Sequence, residues 1–412
     1  MQGSGDKMSN DAGLVTKPVS PGSPELQALL ARIAEGANER ERDLVPPYEQ
    51  IQWIREAGLG RLRIPVREGG AGASLREFFQ VLIDLSAADS NVAHILRAHF
   101  WFVEQQLQSA HTNSRRHWLA LINQGKIFGN ATSEQGGLQV GLFFDTKLTR
   151  DAVGIGYRLN GQKYYSTGSL YSDWIQIFAS TPEGNIMGAT IPADREGLTL
   201  KDDWDGFGQR LTGTGTTILN NVYVKPEETA DYGSPLAQPP SYQFAFLQLY
   251  LQALTAGILR SVQDDAVALV RRRRRSFSHA AAERPTEDYQ VFQVVGEIAA
   301  DAFAAEAIVL AAADRIQAAA DSVTNGLPDA QLACDAQIAA AQAKVAVDRF
   351  SYQTASQLFD AGGASATQAI YNLDRHWRNA RTISTHNPTF LKASAVGDFL
   401  VNGTPPPLNG FF

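Results

Sequence analysis

Between Asp374 and Pro388 the chain reads Asp-Arg-His-Trp-Arg-Asn-Ala-Arg-Thr-Ile-Ser-Thr-His-Asn-Pro, two histidines, three arginines and a tryptophan within fifteen residues. A buried helix cannot carry so many cationic groups unpaired, and surface helices seldom mix them with an aromatic. Two readings stand side by side. In the structural one, Arg375, Arg378 and Arg381 pair with acids from other elements. In the chemical one, His386 precedes Asn387-Pro388, where one helix stops and another starts, and turns an imidazole into a pocket from a fixed backbone. Imidazole titrates near neutrality, so the chemistry on offer is proton transfer or stabilisation of a developing anion.

A second cationic feature is Arg271–Arg275, five consecutive arginines late in an apolar helical stretch. Such a run reads as a solvated face or a nucleic-acid patch. The net charge of −7 argues against a polyanionic partner and excludes nucleic-acid binding from the expectations. A helix fans consecutive residues around its axis, so the five cannot share one task; Arg271 and Arg275, four apart, are expected on one face. His94 and His99 are five apart and do not share a helical face well enough for a metal pair. The single cysteine, Cys334, excludes an internal disulfide and a multi-cysteine zinc site, and reads as a small core hydrophobe. No metal site is expected. Walker-type loops, a strand–GxGxxG–helix unit and a GxSxG elbow are all absent from the sequence.

Three zones must position these groups. After a Gly/Ser/Pro-rich stretch, 1–23, expected to be a disordered lead-in, residues 24–129 carry helical periodicity, with Ser74 as a cap and a helix over Asn91–Ala110. Residues 130–235 turn to short β-branched and aromatic runs, Leu142–Leu148, Ile155–Leu159, Lys163–Ser166, Trp174–Ser180, Ile186–Ile191 and Thr216–Val224, punctuated by Asn160-Gly161 and Asn220-Asn221. From 236 to 412 the chain is helical again, with an apolar stripe from Val291 to Ile316, a second helix over Gln331–Phe359 and a turn at Asn325–Pro328. The fold class is therefore α+β: an N-terminal α-helical domain, a small central β-barrel or sandwich domain, and a C-terminal four-helix bundle. No apolar run reaches the ~18–20 residues a membrane span needs, and the cytoplasm is the expected location.

That order, together with specific motifs, resembles the acyl-CoA dehydrogenase superfamily of flavoproteins. Ile64-Pro65 with Glu68-Gly69-Gly70 and Gly72 resembles its early glycine loop. Phe128–Glu134 resembles the segment that meets the flavin, and Leu159–Gly168 its Asn-Gly strand pair. The turn Asp202–Gly215, the segment Asp374–Pro388 and the tail Val396–Gly403 resemble the flavin-dependent monooxygenase branch. No Tyr-Glu-Gly-Thr-like segment supplies the carboxylate base of the dehydrogenases.

The resemblance implies a reduced-flavin-dependent two-component oxygenase that forms a flavin C4a-(hydro)peroxide and oxygenates a sulfur, nitrogen or aromatic centre of a small organic substrate. The alternative is an acyl-CoA dehydrogenase or oxidase holding FAD. It also implies site residues. Asn130, Ser133 and Thr167 are expected at the flavin's pyrimidine edge or N5, with capping of strand ends as the plainer role. Tyr165 and Trp204 are expected to shield the ring, or to be interface aromatics. His386 is expected to protonate or stabilise the peroxide, with His99 as a second pocket histidine and His94 as a packing residue. Arg275, with Arg271 beside it, is expected to reach a flavin phosphate across a subunit interface. FMN is the implied flavin, reduced by a separate NAD(P)H-dependent reductase, with O₂ as co-substrate and a homotetramer as the assembly. The loop Thr132–Val140 and the insert Ala280–Thr286 are expected to set the pocket's size.

Overall fold

The computed structural model describes residues 17–136, 143–236, 238–408 and 412. Helix begins where Ser23 accepts a hydrogen bond from the Leu26 amide and Pro24 opens the first turn. Helices α1 (Pro24–Ala34), α2 (Ala37–Asp43), α3 (Tyr48–Ala57), α4 (Leu75–Ala88), α5 (Ser90–Ile95), α6 (Arg97–Gln108) and α7 (Asn113–Asn123) succeed one another. The expected lead-in lies largely outside the described residues, but its last part is packed: Val19 is buried and its amide donates to the Ala57 carbonyl at 3.0 Å. The helix expected over Asn91–Ala110 is two. Leu96, at φ −82° and ψ −2°, interrupts it, and Asp89 caps α5 by accepting from the Asn91 and Val92 amides.

Eight strands form the middle: β1 (Phe128–Ala131), β2 (Lys147–Arg150), β3 (Tyr157–Lys163), β4 (Trp174–Ser180), β5 (Ile186–Pro192), β6 (Leu198–Leu200), β7 (Thr217–Val224) and β8 (Thr229–Gly233). Hydrogen bonding runs β6-β7-β3-β2-β4-β5-β8, with β1 parallel to β4. β2 meets β4 only at Lys147 and Ser180, so the sheet folds there. Leu148, Leu159, Val222 and Val224 from one half pack on Ile175, Ile177, Ala189 and Ile191 from the other, as in a sandwich. Asn160-Gly161 is not the turn its sequence suggests. It lies inside β3, where a register shift between Leu159 and Gly161 marks a bulge; a Cβ on Gly161 would come within 2.7 Å of the Thr146 Cα. The separate strand expected at Lys163–Ser166 is therefore the end of β3 and the loop after it.

The last domain is built on α8 (Gln243–Arg272), α9 (Tyr289–Asp321) and α10 (Ala330–Gly362), which pack against one another; α4 closes against α8 and α9 in the fourth place. Gly257 permits that closure, since a Cβ there would lie 2.5 Å from the Ile83 carbonyl oxygen. Phe78 and Phe79 of α4 interleave with Phe246 and Tyr250 of α8. Cys334, expected in the core, is only half-buried on α10. Two short helices, α11 (Arg375–Ser384) and α12 (Thr389–Asn402), lie across α10, and α11 also touches α8. Among the described residues no helix is long and apolar enough to cross a membrane.

Candidate active site

The cationic segment resolves into both readings at once. Its arginines are structural. Arg375 and His376 both bond Asp265 of α8, at 2.6 and 2.7 Å. Arg378 pairs with Asp374 at 2.8 Å and with the buried Glu41 at 3.3 Å, and Arg381 reaches the Tyr352 hydroxyl. Burial, with Arg375 close by, lowers the His376 pKa to about 4 and leaves the ring a neutral donor. Asp265, despite its burial, is drawn down to about 2 by its bonds to His376 and Arg375. This lattice of pairs fixes α11, and with it the turn at the helix's C-terminal end.

His386 sits in that turn, between α11 and α12. Two anchors hold it. Lys344, wholly buried on α10, donates to the Ser384 carbonyl at 3.0 Å and to Asp348 at 2.9 Å; Asn387 donates to Gln248 at 2.6 Å. His386 meets solvent on one side and is crowded on the others. That crowding, with Arg97, Lys344, His94 and Lys392 nearby, holds its pKa well below the ordinary histidine value. Since one side of the ring is wet, the neighbouring cations are the firmer of the two causes. Nη1 of Arg97 lies 3.4 Å from His386 Nε2. A guanidinium only donates, so Nε2 carries the lone pair and Nδ1 the proton.

The imidazole close enough to act on His386 is His94, while His99, expected as a second pocket histidine, is bonded elsewhere. Nε2 of His99 donates to the Gly60 carbonyl at 2.9 Å, while Nδ1 accepts from the Phe128 amide at 3.3 Å; the ring is fully enclosed, with neither nitrogen left for a pocket. His94 has Nδ1 against the Gln209 Oε1 at 2.9 Å, which puts its proton there and leaves Nε2 as an acceptor. Burial, then Arg97, lowers its pKa to about 3. Gln209, at φ 52°, sits in the turn between β6 and β7. Its amide nitrogen donates to Ser90, and its backbone N–H donates to Asn379 Oδ1 at 2.6 Å. Asn379 and Asn91 both donate to Glu41 Oε2. A buried polar network thus ties α2, α5, the β6–β7 turn and α11 to one imidazole.

Gln209 also ends a hydroxyl chain. Thr212 Oγ1 donates to the Gln209 carbonyl at 2.8 Å, and Thr214 bridges Thr212 and Thr167 at 2.7 Å each. Each hydroxyl has one proton. With Thr212's given to the carbonyl, Thr214 must donate to Thr212 and Thr167 to Thr214. Thr167 therefore presents lone pairs outward. Next to it, Gly168 is pressed on the end of α5: a Cβ would lie 2.2 Å from the Ile95 carbonyl oxygen. That contact seats the Thr167-Gly168 turn on the C-terminal end of α5.

The other expected residues are dispersed around this centre. Asn130 in β1 bonds Thr132 Oγ1, and its carbonyl accepts from Ser169. Ser133 is half-buried and its carbonyl accepts from the Tyr164 amide. Tyr165, at φ 59°, is 51% exposed and meets Trp204 edge-on at 6.1 Å. Trp204 itself donates to the Gly208 carbonyl. Arg271 and Arg275 do not share a helical face, because α8 ends at Arg272. Both are exposed, and about 24 residues separate Arg271 from Leu247, which is ~36 Å at the helical rise. Arg272 lies over the Tyr371 ring and Arg273 donates to the Ala361 carbonyl. Part of the loop expected to size the pocket, residues 137–140, is outside the described residues.

Helical domain, sandwich and bundle around an imidazole pair define the class. The chain belongs to the acyl-CoA dehydrogenase superfamily and, within it, to the flavin-dependent monooxygenase branch. Residues 27–126 match the family model "Acyl-CoA dehydrogenase, N-terminal domain" and residues 249–389 the "Acyl-CoA dehydrogenase, C-terminal domain". Dibenzothiophene monooxygenase of Rhodococcus erythropolis is 28% identical over 388 residues, covering 90% of each chain. A probable FMNH₂-dependent monooxygenase, SfnC of Pseudomonas putida, is 27% identical over 398 residues, covering 95% of this chain and 98% of SfnC. The crystal structure of FMN-bound TdsC from Paenibacillus sp. A11-2 superposes with a TM-score of 0.85 at 28% identity, covering 94% of this chain and 99% of TdsC.

Proposed function

We infer that the chain is the oxygenase component of a two-component, reduced-FMN-dependent monooxygenase acting on a small organic substrate, with organosulfur compounds the first class to try. One observation carries this over the FAD-dependent dehydrogenase alternative. His94, His386 and Arg97 converge with no carboxylate among the described residues paired with them, and Asp348, the acid of the adjoining anchor, is engaged by Lys344 and Thr389. That favours oxygenation over proton removal from carbon by a carboxylate base.

The residues present fit FMN. Thr167 offers lone pairs suited to a ring N–H, Ser133 has a half-buried hydroxyl with no partner among the described residues, and Tyr165 is held in a strained backbone state with its ring open. When bound, reduced FMN supplies the O₂ activation that side chains lack. Thr167 and Asn130 hold the ring's edge, and Tyr165 and Trp204 cover it. Two neutral imidazoles manage protons: His386 donates from Nδ1, and His94 accepts at Nε2. Arg271 at the end of α8 and Arg275 in the connection after it serve the phosphate of a neighbouring subunit's flavin.

That arrangement calls for a homotetramer. Exposed Phe292 and Phe303 on α9 and Phe390 and Leu400 on α12 support it as apolar surface in want of cover. Electrons come from a separate NAD(P)H-dependent flavin reductase, in keeping with the lack of a dinucleotide fingerprint. The test is to mix the protein with reduced FMN and O₂ in the presence of organosulfur compounds, amines and phenols, and to score oxygenated product. Tightly held FAD that acyl-CoA bleaches would overturn the reading.

A further inference from the structure

α2 reads as a solvated charged helix, five of its seven residues being acidic or basic, yet Glu41 turns inward and is only 4% exposed. Each group bonded to this carboxylate is a donor. Oε2 accepts from the side-chain amides of Asn91 at 3.1 Å and Asn379 at 2.8 Å, and Oε1 accepts from Nη1 of Arg378 at 3.3 Å. Burial pushes the Glu41 pKa up, opposed by Asn379 and Arg378; with three donors facing it, the group stays a carboxylate. Neither asparagine is free to turn over, because the carbonyl end of each faces a backbone N–H: that of Leu211 for Asn91, at 3.2 Å, and that of Gln209 for Asn379, at 2.6 Å. Two parallel arms thus run from the turn 209–211 through an asparagine to one oxygen of Glu41. The turn is one that needs holding. Gln209 lies at φ 52°, and Gly208 before it backs onto α11 so closely that a Cβ would lie 2.1 Å from the Arg378 carbonyl oxygen. From this backbone the Gln209 side chain meets α5, its nitrogen on Ser90 at 3.1 Å and its carbonyl on Nδ1 of His94 at 2.9 Å.

We propose that Glu41 is a positioning residue for His94: through Asn91 and Asn379 it holds the turn from which Gln209 keeps the ring's proton on Nδ1 and leaves Nε2 bare. A carboxylate suits the task because it only accepts. It takes both asparagine nitrogens on one oxygen, so that each asparagine carbonyl is delivered to a backbone N–H. A glutamine in its place would turn an N–H toward Arg378. The distance of the charge matters as much as its presence. An acid directly on Nδ1 would favour the imidazolium, whereas the neutral Gln209 carbonyl fixes the tautomer and leaves the ring uncharged. The proposal rests on the monooxygenase reading only for what His94 does with its bare nitrogen; the tautomer itself does not depend on flavin.

The experiment is therefore run first without flavin. Histidine-selective nitrogen-15 labelling distinguishes a protonated ring nitrogen from a bare one by NMR, and the spectrum of His94→Asn assigns the signals of His94 among the seven histidines. Wild type, Glu41→Gln, Asn379→Ala and Gln209→Leu are compared, each checked for a native melting transition. The wild-type ring should carry its proton on Nδ1. Gln209→Leu should move it to Nε2, and Glu41→Gln and Asn379→Ala should each give a mixture of the two forms. Product formed per reduced FMN should fall by about tenfold or more in Gln209→Leu and by less in the other two, with FMN affinity within about twofold of wild type throughout. A wild-type ring protonated on Nε2 overturns the proposal, and that result needs no variant to fold. Folded Glu41→Gln and Asn379→Ala proteins that both keep the wild-type tautomer also overturn it and reduce Glu41 to a structural partner of Arg378. The expected tautomers in all four proteins, with no oxygenated product from the wild type, would support the polar chain and sink the monooxygenase reading.

Discussion

Thr214→Val cuts the hydroxyl chain at its middle link. Thr214 is buried and takes part in two 2.7 Å bonds. Valine fills nearly the same volume, and Thr212 still donates to the Gln209 carbonyl, so no buried donor is orphaned; the expected stability loss is about 1 kcal/mol. The larger effect is on direction. In the native chain Thr167 gives its proton to Thr214 and can only accept from a ligand. In the variant that proton is released, and Thr167 becomes a donor. An acceptor favours a ring N–H, present in reduced flavin; a donor favours the bare nitrogen of the oxidised form. Losing one hydrogen bond in the reduced state and gaining one in the oxidised state shifts the balance by about 1–2 kcal/mol, or ~20–40 mV for two electrons. Spectroelectrochemical titration of FMN bound to wild type, Thr214→Val and Thr214→Ser should show the valine variant more negative by that amount and the serine variant unchanged. A valine variant that folds, binds FMN and keeps the wild-type potential would refute the assigned polarity of the chain.

The same geometry sets other outcomes. His386→Ala and His94→Ala should each lower product formed per reduced FMN while leaving FMN affinity similar, whereas His99→Ala should destabilise the fold by about 2–4 kcal/mol of lost bonds and packing, measured by chemical denaturation; an activity loss at full stability for His99→Ala would point to its expected role. Arg275→Ala should weaken FMN binding by roughly 1.5–3 kcal/mol in the assembled protein, and an unchanged dissociation constant would remove it from the phosphate site. Acid should destabilise the fold from about pH 6.5 downward. His94 and His376 have folded pKa values of about 3 and 4, below the unfolded one, so only the unfolded chain gains their protons as the pH falls. Asp265, held near 2, adds stability present above the ordinary aspartate pKa and lost toward pH 2. Chemical denaturation at stepped pH checks this, and a flat profile between pH 6.5 and 4.5 would contradict it.

The order of domains is legible in the sequence because helix and strand periods change cleanly, and Trp174–Ser180 is delimited by its own composition. Other parts depend on partners. Phe128–Ala131 contains glycine and asparagine and looks like a loop; it is a strand only because β4 offers it a parallel edge. The break at Leu96 lies within a run whose apolar pattern is continuous, so nothing local announces it. Without that break, the choice between His94 and His99 has no sequence signal beyond five-residue spacing. Arg97 is invisible in sequence for a related reason: an arginine is notable only when its acids are missing, and pairing is a property of the folded chain. The segment Asp374–Pro388, by contrast, announces both the helix junction and its titratable end.

The anchorage of Lys344 also bears on which lengths of this chain evolution can try. Its ammonium must reach Ser384 from α10 while staying beside Asp348, so its angle about the helix axis is fixed. A single residue inserted between Ala330 and Lys344 would turn the lysine by about 100° and strand both it and the His386 turn. Insertions and deletions among descendants of this chain should therefore fall in the connection 273–288 and in the turn 322–329, and α10 should change by substitution alone.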